Sequence, residues 1–319
     1  MLSAADIKEL YQAYVQLMDE YEQRYAGLNH EQQAQLSKIL IELSATLKYE
    51  IHAVPMGLRG PRYLRNVEQV VDARMSHFWN NQFTGSLDGA IAHGADEVTR
   101  REDEIFRLIG RPGPDAHDVV SRTVAEVFTD THGTHETVRQ RITRNSQKTS
   151  SDVLNGVRER IQRGESRTAV NRWITEQITS PGIDNVRYRA SRIIRTEFAN
   201  ASRTAHRISV TNADGTLRDG INSIGWRLSP AHPRVDICDV WASDNLYDLG
   251  PGNYPPNALP PGHPNCLCLT VTVLDLPGSP ELVWKEAVPT EVPDGQRRYY
   301  AQPRISQINK LRRRPWRRF

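Results

Sequence analysis

Between His232 and Cys268 the chain reads HPRVDICDVWASDNLYDLGPGNYPPNALPPGHPNCLC, and no other stretch sets as many conditions on the fold. Prolines at 251, 255, 256, 260, 261 and 264 remove backbone donors, while glycines at 250, 252 and 262 allow positive φ. Neither helix nor sheet is expected to run through it, and little of it is expected to be regular. A loop of this length inside a compact domain is usually functional or pinned. The available pins are sulfur and imidazole: Cys238, Cys266 and Cys268, which are all the cysteines of the protein, with His232 and His263.

His263 and Cys266 bracket a tight His-Pro-Asn-Cys turn, and Cys268 follows two residues on, facing the same side if the chain is extended there. With Cys238 closing the loop from the far end, Cys238, His263, Cys266 and Cys268 form a tetrahedral N/S set of the kind zinc prefers, with His232 or Asp236 as alternative ligands. Two other readings stand beside this one: three reduced cysteines packed by ordinary contacts, and a disulfide. A structural zinc would supplement a small apolar core with metal-binding energy. The deaminase pattern of a catalytic zinc, His-x-Glu, is missing, because Pro264 and Asn265 follow His263.

The runs Asp236-Ile237-Cys238-Asp239, Leu249-Gly250-Pro251-Gly252 and Pro260-Pro261-Gly262-His263-Pro264-Asn265-Cys266-Leu267-Cys268 resemble the C-terminal signature of the phage Mu F-like minor head proteins, also called phage head morphogenesis proteins. Ile194-Arg195-Thr196-Glu197 with Ala201 and Ala205 is similar to the helix that precedes that signature in the family. Leu267 stands where the family usually has arginine. The resemblance covers roughly residues 150 to 275. It implies a minor component of a tailed-phage head, assembled in the host cytoplasm with the portal protein and the major capsid protein, and retained in the virion head or neck near packaged DNA.

The remaining sequence fits a helix-rich protein of several parts. At 319 residues the chain is long enough for two domains, and its mean hydropathy of −0.59 indicates much surface per unit of core. It has no apolar run of membrane-spanning length, and its N-terminus lacks a secretory pattern, so no membrane partner is expected. An odd number of clustered cysteines argues for a reducing compartment. The organisation expected is a helical N-terminal region (1–110), a helical connector (111–180), a C-terminal domain with the Cys/His loop (181–276) and an extended tail (277–319). The fold class is therefore mainly α, with a small α+β C-terminal domain whose antiparallel sheet of two or slightly more strands flanks the loop.

In chain order, apolar spacing predicts a helix over 3–26 ended by Gly27, then a second over 30–52, the two pairing as an antiparallel hairpin. Further helices are expected over 67–79, 87–109, 115–128 and 134–163, the last weakened at 146–152 by SQKTSSD. Two more are expected after the Ser166 cap and over 184–210. Residues 222–228 and 269–274 alternate as strands that should pair. His117, His132 and His135 read as surface residues. Arg195 and Glu197, two apart on a helix, point to different sides and read as forming structural salt bridges to the neighbouring sheet or loop rather than as a catalytic pair.

All 38 acidic residues precede position 297, whereas the last 23 residues hold nine of the 41 Lys/Arg. Arg312, Arg313, Arg314, Arg317 and Arg318 are interleaved with Trp316, the composition of an arm that neutralises phosphate and stacks on bases, or that docks on an acidic protein surface. The function expected is structural. Its rival is a zinc-dependent hydrolase or nuclease-like enzyme using the loop, with His232, Asp236, Asp239 and Asp244 as the candidate polar groups.

Overall fold

The computed structural model describes residues 4–54, 61–130, 136–229, 232, 236–260, 262–263, 265–266 and 268–275. The proposed arm residues Arg312, Arg313, Arg314, Trp316, Arg317 and Arg318 lie outside these, as do His132 and His135. The described residues are mainly helical with one small antiparallel sheet, as the sequence predicts.

Helix α1 runs without interruption from Ala4 to Ala53, so the expected hairpin does not form. Its apolar stripe explains why. Tyr14, Leu17, Met18, Tyr21 and Tyr25 are buried, and after Tyr25 the stripe resumes at Leu36, Leu40, Leu43, Leu47 and Ile51. The gap of about eleven residues is three helical turns, so both halves face the same way. Gly27 lies in the gap in helical conformation, where a Cβ would meet nothing. A glycine in a helix interior costs only about 1 kcal/mol relative to alanine, too little to break a helix anchored at both ends.

The two halves of α1 enter different parts of the core. Leu36 to Ile51 pack with α2 (Pro61–His77), α5 (Val138–Gln162) and α6 (Arg167–Thr179), whereas Tyr14 to Tyr25 pack with α3 (Thr84–Leu108), α4 (Ala116–Thr129) and the sheet. Helix α7 (Val186–Val210) also contributes to both clusters. Between α2 and α3 the chain stays helical through a π turn, Phe78–Phe83, which buries Phe78, Trp79 and Phe83 together.

The expected weak point at 146–152 is ordinary helix. Ser146, Thr149 and Ser150 are buried, and Thr149 Oγ1 accepts a 2.9 Å bond from Trp79 Nε1, so small polar residues are used for close packing. The side chains of Asp115, Thr137 and Ser166 cap α4, α5 and α6. Gly164, at φ 74°, turns the chain out of α5.

Strands β1 (Ile221–Arg227) and β3 (Leu269–Leu274) pair antiparallel, and a two-residue strand β2 (Asn253–Tyr254) adds to the other side of β1. Although β3 is an edge strand, all six of its residues are buried. Two of its carbonyls are taken by side chains: Arg101 Nη1 donates to Thr270 O at 2.9 Å and Tyr14 OH to Thr272 O at 2.6 Å. Arg101 is paired with Glu102, and Thr272 Oγ1 donates to Glu102 Oε2. His206 of α7 lies between Thr270 Oγ1 (2.7 Å) and Thr272 Oγ1 (2.8 Å). Covering an edge with satisfied polar groups removes a template for unwanted strand pairing.

Two outcomes follow. Gly27→Ala should stabilise the protein by about 1 kcal/mol in urea denaturation, whereas a loop at this position would make the change neutral or harmful. Burial, aided by the Arg101 charge, pushes the His206 pKa well below its ordinary value. Below pH ~6.5 the unfolded chain therefore takes up a proton that the folded one refuses, and stability should fall by up to about 1.4 kcal/mol per pH unit, with a plateau above. Urea midpoints between pH 8 and 5 should show this slope, and His206→Gln should reduce it.

Candidate metal centre

The loop contains more regular structure than its prolines suggest. Its first part forms a short helix, α8 (Ile237–Ser243), because Asp236 and Asp239 make a capping box. Asp236 Oδ1 accepts from the Cys238 amide at 2.8 Å, and Asp239 Oδ2 accepts from the Asp236 amide at 2.7 Å. This cap fixes Cys238 in the interior, with Trp241 beside it against Trp226 of β1, ring centroids 4.9 Å apart and edge-to-face. Gly252, at φ 70°, lies so near Ala242 O that a Cβ would come within 2.6 Å. The Trp226 amide donates to Gly252 O, which leads the chain into β2.

The second wall is the turn after His263. Cys266 N–H donates to His263 O at 3.0 Å, and Asn265 takes a positive φ of 63°. The Asn265 amide donates to Thr196 Oγ1 of α7 at 3.2 Å. Gly262 passes over the Arg203 guanidinium so closely that a Cβ there would displace it. The walls meet at three buried, free thiols.

Cys238 Sγ and Cys266 Sγ are 3.5 Å apart, and with His263 their donor atoms all lie within 4.8 Å of one another. Cys268 interacts with both other thiols, and its sulfur is 3.8 Å from His232 Nδ1. Each histidine is held from its other side by a carboxylate: His263 Nε2 lies 3.1 Å from Asp236 Oδ2, and His232 Nε2 lies 3.0 Å from Asp239 Oδ2. Buried Cys238 and Cys266 with half-buried His263 thus form a group that can hold a metal ion, with Cys268 and His232 at its edge. A second group, His232, Asp236 and Asp239, is equally close-set, but both carboxylates are engaged in the α8 cap.

The electrostatics divide the three thiols. Burial raises the Cys238 pKa, and Cys268 is raised as well. Cys266 is lowered, because its neighbours donate hydrogen bonds to it and Arg203 and His263 stand nearby. For His263, burial opposes protonation, but Asp236 and Cys266 outweigh it and lift the pKa to about 10. His232 is raised in the same sense against the cost of burial, by Asp239 and Asp236. Asp236 is lowered although burial acts the other way, mainly by its bond to His263.

The sequence thus identifies the thiols and imidazoles that converge, while Asp236, an alternative ligand by sequence, instead orients His263 and caps α8. Asp244 is at the C-cap of α8, the opposite end from Asp236. Arg203 is missed from sequence. It is 5% exposed, lies over Trp226, and its Nη2 donates to Cys268 O at 3.5 Å. Glu197 is completely buried and ion-paired, but with Arg141 of helix α5 at 2.5 Å rather than with the sheet or loop, and Asn200 Nδ2 also donates to it, whereas Arg195 forms no ion pair among the described residues. Searches of family models, curated proteins and solved structures give no match to this chain.

Asp239→Ala would remove both the backbone half of the cap and the anchor of His232. A loss of about 2 kcal/mol is expected from a lost helix cap combined with a charged hydrogen bond. Chemical denaturation of the purified variant checks this, and an unchanged midpoint would mean that the loop is not held by these bonds.

Proposed function

We propose that this chain is a structural assembly protein of a tailed bacteriophage, a minor head protein of the Mu F-like kind, whose C-terminal lobe is fastened by a structural zinc ion. The observation that carries this reading is that the two separated segments bearing the resemblance, residues 194–205 and 236–268, pack as one unit. Thr196 holds the turn before Cys266, and Arg203 of the same helix reaches Cys268 O. The Arg-Thr-Glu helix and the His/Cys loop thus depend on each other for their position, which accounts for their occurring together as a signature.

Zinc suits the donor set. Thiolate sulfur with imidazole nitrogen is the usual ligation of structural zinc, and bonds of about 2.3 Å place neighbouring sulfurs about 3.8 Å apart in a tetrahedron. The 3.5 Å separation of Cys238 and Cys266 lies close to that. Cys238, Cys266 and Cys268 would hold the ion with His263 or His232, and Asp236 and Asp239 would act as the outer carboxylates that orient ligating histidines. The ion would contribute folding energy to a lobe whose apolar core, among the described residues, is small: Trp226, Trp241, Tyr254 and the three cysteines, with Leu228, Ile237, Ala242 and Leu259 packed against them. Enclosed thiols of this kind favour a structural over a hydrolytic role, since a catalytic zinc keeps one position open.

In this reading the helical body meets the portal and the major capsid protein during head assembly, and the basic C-terminal residues meet packaged DNA. Co-expression with the portal protein of the same phage is the direct test. The wild-type chain should co-purify with the portal ring and carry one zinc ion, and Cys266→Ser should lose both. A metal-free wild-type protein would overturn the zinc clamp, and failure to associate with portal or capsid would overturn the assembly role.

A further inference from the structure

Packing within the chain accounts for the inner face of the second half of α1 and leaves its outer face uncovered. Leu36, Leu40, Leu43, Leu47 and Ile51 are buried against the helical body. At 3.6 residues per turn the direction opposite to these is that of Ala45, with Ile41 and Tyr49 to either side of it. All three are exposed, Ile41 to 61% and Tyr49 to 77%, the latter the most exposed of the large apolar side chains among the described residues. Apolar residues exposed singly are ordinary. Here two of them share one ridge, about 12 Å apart along the helix, with the small Ala45 between.

This ridge is complementary to itself. A two-fold axis beside Ala45, across the helix, sets each residue before Ala45 level with the residue equally far after Ala45 in the other copy. Four residues out, Ile41 is level with Tyr49, and three residues out, Glu42 is level with Lys48. Unlike charges therefore approach each other, whereas a parallel pairing would set Glu42 against Glu42 and Lys48 against Lys48. Ala45 meets Ala45, and two methyl groups let the helix axes come to about 10 Å, with isoleucine and tyrosine filling the space above and below. Lys38 and His52, seven residues out, lie where crossing helices have begun to separate and face water.

We propose that this face of α1 pairs with the same face of a second copy of the chain, antiparallel and centred on Ala45. The symmetry selects this occupant: a different protein would have no use for apolar side chains and for opposite charges placed at equal distances on either side of one alanine. The arrangement is isologous and closed, so it stops at a dimer. A single helix pair buries less than the roughly 1,200 Å² of stable complexes, so the dimer is a weak one that forms where copies are concentrated. The pairing does not depend on the metal centre or on the assembly role.

Sedimentation velocity of the full chain, at concentrations rising into the hundreds of micromolar, should show the 36.3 kDa monomer converting reversibly to a species of twice that mass. Ala45→Glu, which brings two carboxylates together at the axis on an exposed position, should weaken association at least tenfold without changing circular dichroism or the melting curve. Glu42→Lys should weaken it about fivefold, and adding Lys48→Glu to that variant should restore it, which keeps the test informative if Ala45→Glu misfolds. Mild oxidation with diamide should link Ala45→Cys into a disulfide dimer on a non-reducing gel, while Ile41→Cys, whose two copies lie about 12 Å apart, should stay unlinked, as should the wild type with its buried thiols. A chain that remains monomeric throughout, a dimer indifferent to these substitutions, no recovery in the charge-swapped double variant, or equal linking at positions 41 and 45 would each overturn the proposal.

Discussion

A helix with no exposed residue between Ile193 and Val210 must find a partner inside the protein for the polar groups it carries. Helix α7 carries many, and most of the architecture follows from how they are met. Glu197 requires an arginine, which α5 supplies as Arg141. His206 requires hydroxyls, which β3 supplies as Thr270 and Thr272, with Glu102 behind them. Arg203 requires acceptors, which the Cys/His lobe supplies through Cys268 O and its own helix through Asn200 Oδ1. Each bond ties α7 to a different neighbour, so one helix sets where α5, the sheet and the lobe lie. Unpaired burial would cost several kcal/mol per charged group, so these contacts specify position more than they add stability.

The lobe is the part least able to hold itself. Among the described residues its buried core is two tryptophans, a tyrosine and three cysteines, edged by Leu228, Ile237, Ala242 and Leu259, and its backbone is interrupted by proline and glycine. Three devices compensate. A capping box turns the first residues into a helix that points Cys238 inward. Glycines at 252 and 262 let the chain pass where a side chain would collide with Ala242 O or with Arg203. A carboxylate behind each histidine limits where the imidazole can go. The same devices that give the lobe shape also bring sulfur and nitrogen donors to one point, so folding and metal binding are coupled in the reading advanced here.

Much of this was legible in the sequence because it is encoded locally. Ser166 and Asp115 cap helices within reach of their own side chains, and LTVTVL alternates as an extended strand should. The convergence of Cys238, His263 and Cys266 follows from a segment too rich in proline to be held otherwise. The failures are non-local. Gly27 looks like a terminus until the stripe at Leu36 is seen to face the same way as Tyr25, a relation decided by what packs on both ends. SQKTSSD looks like a break until Trp79, seventy residues away, is placed on Thr149. α8 is masked by the prolines that follow it, although Asp236 and Asp239 carry the capping signal. The partnership of Arg101, Glu102 and His206 with β3 has no local signature.

X-ray absorption at the zinc edge on the purified full-length protein tests the central claim most directly. The account predicts a tetrahedral first shell of three sulfurs and one imidazole nitrogen. A shell of oxygen and nitrogen alone, or protein that remains folded through residues 236–268 with no bound metal, would contradict it.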